Sequence, residues 1–133
     1  MRLKLGPMLA ILTVAGATPA FAQANCALPI PPAAPDGRTA TQQQIAAAVA
    51  DAKNFIAQSD VYQNCLLDYV KTRKEEAAAA LADKDNKDKK PFDPYIETTI
   101  QKQIDSNQAA KVRAGAEINA AISDFKMAHP NPK

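Results

Sequence analysis

Residues 41–82 read TQQQIAAAVADAKNFIAQSDVYQNCLLDYVKTRKEEAAAALA, a stretch with neither proline nor glycine. Apolar residues recur in it every three or four positions, a spacing that puts them on one face of an α-helix; they are Ile45, Ala48, Val49, Ala52, Phe55, Ile56, Tyr62, Leu66, Tyr69 and Val70. Thr41 and Gln44 have the spacing of a capping box, which indicates that the helix begins near residue 41. We therefore predict a helix over 41–82, with Ser59–Asp60 as the one place where a break and a new cap fit the sequence.

A second helix is predicted over residues 94–128. Asp93–Pro94 supplies an N-cap followed by a first-turn proline, and His129–Pro130 ends the pattern. Alternating steps of four and three residues mark a heptad seam on this helix, made of Ile100, Ile104, Asn107, Lys111, Ala114, Ile118, Ala121 and Phe125. Residues 83–93 between the helices are highly charged and predict an exposed loop, and residues 129–133 predict a short tail.

Two long helices joined by a short loop predict an antiparallel hairpin with coiled-coil-like packing, because each helix alone would leave an apolar stripe in water. The predicted fold class is all-α. Aligning the helices about the loop places Gly115 near Tyr62 and Lys111 near Cys65, and a glycine opposite a large aromatic residue would let the helices approach closely. The remaining apolar surface is compatible with a homodimer in which two hairpins form a four-helix bundle.

The first 22 residues have the features of a secretory signal peptide. Arg2 and Lys4 are basic, residues 8–15 are apolar, and Ala20-Phe21-Ala22 forms a small-x-small cleavage site. We predict cleavage after Ala22 and a periplasmic or secreted mature protein. A retained membrane anchor is a weaker alternative because the apolar run is much shorter than the ~20 residues that span a bilayer. A lipid anchor on Cys26 is weaker still, since Gln-Ala-Asn precedes that cysteine.

The charge balance argues against two classes of partner. The chain has 16 Lys and Arg against 14 Asp and Glu, and Arg2 and Lys4 account for the whole formal excess of +2. Nucleic-acid-binding domains and membrane-surface helices usually carry a basic surplus gathered on one face. Without residues 1–22 the numbers are equal, so we expect neither nucleic-acid binding nor stable attachment to a membrane.

Residues 23–40 predict an extended, proline-rich strap. The segment 28–35 reads LPIPPAAP, which favours polyproline II structure, and Asp36–Gly37 favours a turn. At 3.1 Å per residue, the segment from Thr41 back to Cys26 spans roughly 46 Å. That length is enough to run antiparallel along the first helix and reach Cys65, which lies roughly 36 Å from the helix start at 1.5 Å per residue.

Cys26 and Cys65 are the only two cysteines, and an exported chain oxidises such a pair by default. A Cys26–Cys65 disulfide would close a loop of ~40 residues and stabilise the fold by roughly 4 kcal/mol in the chain-entropy treatment. Intermolecular pairing is a weaker alternative. A redox role is also weaker, because reactive pairs usually have Cys-x-x-Cys spacing.

The remaining candidates for chemistry give no catalytic, cofactor or metal site. His129 is the only histidine and lies in a terminal segment beside two prolines, which argues against a His-based triad and excludes a multi-His zinc site within one chain. Asp83 and Asp85 alternate as in a calcium loop, but Lys87 and Pro94 stand where that loop needs ligands. We predict a protein that is not an enzyme and holds no cofactor.

Three aromatic residues, Phe55, Tyr62 and Tyr69, are seven positions apart and therefore lie on one stripe of the first helix. Such a stripe has two interpretations. It is either an interaction surface for a ligand or partner, or part of the core between the helices. Aromatic residues at helical spacing are more often core.

Five short segments resemble small uncharacterised secreted proteins of alphaproteobacteria. These segments are Asn25–Pro29, Pro35–Thr39, Tyr62–Leu66, Asn107–Gln108 and Glu117–Ile122. The resemblance implies an exported helical protein and transfers no activity.

A second similarity concerns Thr41–Gln44, which resembles the Leu-Thr-x-x-Gln motif of periplasmic stress-response chaperones, although Ala40 replaces the leucine and a capping box explains the same residues. We therefore expect a non-enzymatic structural or protein-interaction module of the bacterial periplasm. The alternative is a periplasmic holdase-type chaperone that binds unfolded clients.

Overall fold

A computed structural model describes residues 25–130 and contains, within them, two helices and no strand: α1, Gln42–Ala82, and α2, Pro94–Ala128. The helices pack antiparallel, since Lys74 and Glu97 form an ion pair at 2.8 Å near the loop while Asp60 and Lys111 pair near the middle. The predicted all-α hairpin is confirmed. The signal-peptide prediction for 1–22 lies outside the described residues.

Both helices begin at the predicted caps. The Thr41 hydroxyl accepts from the Gln44 backbone N–H at 3.2 Å, and the Gln44 side chain accepts from the Thr41 N–H at 2.8 Å. At the second helix, Asp93 accepts from the Tyr95 N–H at 2.9 Å, and Pro94 stands at the first position, where no donor is needed. The capping box and the Asp-Pro start are confirmed.

The core between the helices consists of two apolar clusters separated by a polar contact. Towards the loop lie Tyr62, Leu66, Val70 and Ile100, and towards the other end lie Ala48, Ala52 and Ile118. Between the clusters, Asn107 donates to the Ser59 hydroxyl at 3.2 Å, and Ser59 is fully buried. Helix α1 therefore runs unbroken through Ser59–Asp60, because the serine is used across the helices and not as a cap.

The predicted alignment of the helices is wrong at Gly115 and Lys111. A Cβ built at Gly115 would meet nothing within 4 Å, so no aromatic residue lies over it. The ammonium group of Lys111 pairs with Asp60 and not with the turn of Cys65. The alignment assumed that α2 starts level with the end of α1, whereas Phe92, just before α2, already packs beside the Tyr62–Ile100 cluster.

Phe92 packs against the core cluster before α2 begins, so the chain has already returned to α1 at this residue. Its side chain is partly buried, and the Lys74 ammonium lies 5.4 Å from its ring centre. The loop is therefore an exposed connection only up to about this residue. As a result, the last turns of α1 pass beyond the start of α2, and each residue of α2 faces an earlier residue of α1 than the alignment assumed.

The strap is tied to α1 by the predicted disulfide. Cys26 and Cys65 are bonded, with their Cα atoms 5.8 Å apart and 39 positions between them in the sequence. Among the described residues, 25–35 make no backbone-to-backbone hydrogen bonds. The disulfide thus fixes a segment that has no ladder or helix of its own to hold it.

Candidate functional site

The strap runs along α1, as the sequence predicted, and lies in the groove between the two helices, where it also has contacts with α2 that the sequence did not predict. Ala34 packs against the Ala48–Ala52–Ile118 cluster, which has members on both helices. Gly37 lies against α2, where an added Cβ would overlap the Ala121 carbonyl and come within 2.9 Å of Asp124 Cβ. The strap therefore bridges the helices, because the groove offers an extended chain more buried surface than one helix face does.

The turn at Asp36 positions Gly37 for this contact. The Asp36 carbonyl accepts from the Thr39 and Ala40 N–H groups at 3.1 and 2.9 Å, and Ala40 is buried. The Asp36 carboxylate accepts from the Arg38 backbone N–H at 3.1 Å and from its guanidinium at 3.3 Å. No positive φ occurs at Gly37, so the glycine is needed here for the close approach to α2 and not for its conformation.

Arg38 and Asp36 shift each other's pKa in this turn. The side-chain and backbone hydrogen bonds of Arg38 lower the pKa of Asp36 below the ordinary value. The same hydrogen bond to Asp36, together with the charges of Asp36 and Asp124, raises the pKa of Arg38. Asp124 belongs to α2, so Arg38 of the strap is close enough to the second helix for the two charges to interact.

We call this side of the hairpin the strap groove. Pro29 is buried in it, while Leu28 and Tyr95 at its edge are 66% and 67% exposed. The cavity that remains between strap and α2 is bounded on the α1 side by Tyr62 and on the α2 side mainly by polar residues such as Gln103. Leu28, Pro29 and Pro31 of the strap form one wall of this cavity, so the strap occupies the groove and leaves a partly apolar cavity against α2.

The aromatic stripe of α1 belongs to the wall of the strap groove and the core. Phe55 and Tyr62 are only 3% and 7% exposed, and Tyr69 is partly buried beside the Tyr62–Ile100 cluster. Burial of this extent favours the packing interpretation over an exposed interaction surface. The sequence could not separate the two, because it did not show which side of α1 the strap would cover.

The opposite side of the hairpin has a second groove, which we call the open groove. Near the loop its floor is apolar and charged residues flank it; the residues are Leu67, Val70, Lys71, Lys74, Glu75, Glu97, Ile100, Gln101 and Ile104. Residues seven positions apart lie on the same face of each helix, so two rows of such residues extend the open groove along the hairpin. The α1 row is Val49, Ile56, Gln63 and Val70, and the α2 row is Gln101, Gln108, Gly115 and Ile122.

Hydrogen bonds join the two helices at the middle of the groove. Gln63 donates to Asn107 at 2.9 Å and to Gln108 at 3.5 Å, and Lys111 donates to Asp60. On either side of this polar section, Val49, Ile56, Ile104 and Ile122 are only partly buried. The open groove is thus apolar at both ends and polar in the middle, and none of the described residues lies over it as the strap lies over the other side.

The described residues offer little for metal or covalent chemistry. Within 25–130, no three His, Cys, Asp or Glu side chains come together as metal ligands would, and both cysteines are in the disulfide. His129 is exposed at the end of α2, with its ring stacked on Phe125 at 4.4 Å between centres. Neither of the two described helices is apolar enough over a sufficient length to cross a bilayer.

Comparison with known proteins adds no relative to this description. No protein-family model, curated protein or solved structure matches the chain. The two grooves of the hairpin, one occupied by the strap and one open, are therefore the features that bear on function.

Proposed function

We propose that this chain is a non-enzymatic, exported helical protein that acts as a structural or protein-interaction module of the bacterial periplasm. The observation that carries the proposal is the contrast between the grooves. The strap and its disulfide cover one side of the hairpin, while the open groove leaves partly exposed apolar residues on the other. A disulfide-held small domain is typical of oxidising compartments, which supports export.

The open groove has the pattern of an interaction surface. Apolar residues lie at its floor, and polar and charged residues rim it, as in the helical grooves that bind protein helices. Leu67 at this site is 54% exposed. We expect a partner helix to bury Leu67 together with Ile104.

Photo-cross-linking in the native cell tests this role. A benzophenone amino acid replacing Leu67 should give a protein adduct, while the same amino acid replacing Ala116, which is exposed on the outer face of α2, should give none. Equal labelling at both positions, or no adduct at Leu67, would contradict the proposal. The mass of the adduct identifies the partner class.

The proposed export is tested by the N-terminus and the mass of the protein recovered from cells. The protein recovered from the periplasmic fraction should begin at Gln23 and be two mass units lighter than its reduced form, because the disulfide removes two hydrogens. A full-length chain beginning at Met1 in the cytoplasm would overturn the assignment of compartment.

A holdase-type chaperone is the second candidate, favoured by exposed apolar side chains on the strap side. Leu28 and Ile30 are 66% and 86% exposed, and Leu28 lines the edge of the strap groove together with Tyr95. Such residues can hold segments of unfolded clients. If the oxidised protein fails to suppress aggregation of a reduced client at several-fold molar excess, this candidate is removed.

A further inference from the structure

We propose that the open groove binds the open groove of a second copy, so that two hairpins form a four-helix bundle with both straps on the outside. This inference rests on the proposed role of the open groove and names its partner. Three observations carry it: the charges of the groove are self-complementary, Gly115 leaves a notch in it, and the chain after residue 22 has equal numbers of acidic and basic residues.

The charges select one arrangement of the two copies. In a two-fold dimer the same surface is used twice, so each residue must suit its symmetry-related counterpart. With the axis parallel to the helices, α1 of each copy faces α2 of the other at the same level. Lys74 then faces Glu97 of the second copy, and Asp60 faces Lys111 of the second copy.

The other face-to-face arrangement is disfavoured. With the axis across the helices, α1 faces α1 with its direction reversed, and Asp60, near the middle of α1, meets Asp60 of the second copy. Like charges brought together at an interface cost affinity, while opposite charges favour the complex. Each member of the Lys74–Glu97 and Asp60–Lys111 pairs, which form within one copy, therefore faces a residue of opposite charge in the other copy only when the two loops lie at the same end of the bundle.

Gly115 leaves a gap in the surface of the open groove, where a side chain would otherwise lie; this gap is the notch. The residue is partly buried, and a Cβ on it would meet nothing within 4 Å, so the monomer gains no packing from the missing side chain. Gly115 lies one turn beyond Lys111, and Ile56 lies one turn before Asp60. Since Lys111 and Asp60 are paired, Gly115 and Ile56 are level, and Ile56 of each copy would rest on Gly115 of the other.

Net charge does not oppose the pairing. Arg2 and Lys4 account for the formal charge of +2, so the remainder of the chain has equal numbers of acidic and basic residues. Two copies therefore approach without overall repulsion, and the apolar ends of the groove, which include Ile104 and Ile122, gain burial.

Light scattering on the oxidised residues 23–133 tests the dimer. We expect twice the chain mass, and Gly115→Glu should raise the dimer dissociation constant by about a hundredfold or more, because a carboxylate would be buried against Ile56. Ala116→Glu, an exposed neighbour with the same charge change, should leave it unchanged. Retained helicity of Gly115→Glu in circular dichroism shows that the monomer is intact.

A spin label tests the arrangement. Placed by an unnatural ketone amino acid at Asn86 in the loop, two labels in one dimer should lie within about 30 Å, whereas reversed hairpins would separate them by about the 60 Å length of α1 at 1.5 Å per residue. A monomer up to millimolar concentration, a dimer indifferent to Gly115→Glu, or widely separated labels would each overturn the proposal.

The cross-linking at residue 67 separates the two proposals. An adduct of twice the chain mass supports both the interaction surface and the dimer. An adduct of any other mass supports the interaction surface and contradicts the dimer. Failure to form any adduct contradicts both.

Discussion

Gly37 of the strap lies against the backbone carbonyl of Ala121 on α2, closer than any residue with a Cβ could come. Cys26 fixes the other end of the same strap to Cys65 on α1. The strap is therefore attached to α1 at one end and packed on α2 at the other, and it resists separation of the two helices.

Gly37→Ala should destabilise the protein. The added methyl group would overlap the Ala121 carbonyl, which is backbone of a helix and cannot move aside as a side chain could. Overpacking of this kind costs typically 1–3 kcal/mol. Chemical denaturation of the oxidised protein should therefore show a lower free energy of unfolding.

Gly115→Ala is the matched control and should have the opposite sign. A Cβ there meets nothing, and alanine is favoured over glycine inside a helix by about 1 kcal/mol. The comparison is made at a concentration at which light scattering shows the mass of a monomer. Equal destabilisation by both substitutions would show that the strap does not approach α2 at Gly37.

These two glycines also show where the sequence was sufficient and where it was not. Short-range sequence patterns were enough to predict the two helices and their caps at Thr41 and Asp93, because capping depends on residues a few positions apart. The roles of Gly37 and Gly115 depend on distant parts of the chain. Sequence reasoning assigned the close approach to Gly115, whereas the structure places it at Gly37.

The predicted register of the two helices is wrong for a similar reason. The sequence places Phe92 in a charged, exposed loop, yet in the structure it packs on the core before α2 begins. A single aromatic residue among Lys, Asp and Pro is the signal that could have shown this. The two faces of the hairpin could not be distinguished at all, because nothing local indicates which groove the strap enters.

Substitutions at Ser59 and Asn107 should have coupled effects on stability, because the two side chains are hydrogen-bonded to each other. Asn107→Ala leaves the fully buried Ser59 hydroxyl without its donor, and an unsatisfied buried polar group costs about 1–3 kcal/mol. In a double-mutant cycle, Ser59→Ala should therefore cost less in the Asn107→Ala background than in the wild type.

Gln108→Ala is the control for that cycle, since Gln108 is exposed and its hydrogen bond to Gln63 is long at 3.5 Å. We expect a change within about 0.5 kcal/mol. Strictly additive effects of Ser59→Ala and Asn107→Ala would argue against the buried contact.

The pKa of Asp36 should lie below its ordinary value, because the hydrogen bonds from Arg38 favour the charged form. The ionised carboxylate contributes its full stabilisation above the unfolded-state pKa of about 4. That contribution is lost as the pH falls through the lower pKa of the folded state, so acid weakens the turn.

An NMR titration of the Asp36 carboxyl carbon measures this pKa. Arg38→Gln should raise it towards the ordinary value, whereas Arg113→Gln, which removes a distant pair with Glu117, should leave it unchanged. An Asp36 pKa that does not respond to Arg38→Gln would contradict the geometry of the turn.

Loss of the disulfide should release the strap. Cys26→Ala should cost about 2–5 kcal/mol of unfolding free energy, as is usual when a small domain loses a native disulfide. Cys65→Ala and the double variant should cost a similar amount, because any one substitution breaks the bond. An unchanged melting temperature, or two free thiols in the native protein, would show that the bond does not hold the strap.

The position of the strap is measured most directly by nuclear Overhauser effects in the oxidised protein. We predict cross-peaks from the Gly37 Hα protons to Ala121 and Asp124 on α2, in the same sample in which Cys26 is bonded to Cys65 on α1. Cross-peaks from the strap to α1 alone, with none between Gly37 and α2, would contradict the account of a strap that bridges both helices.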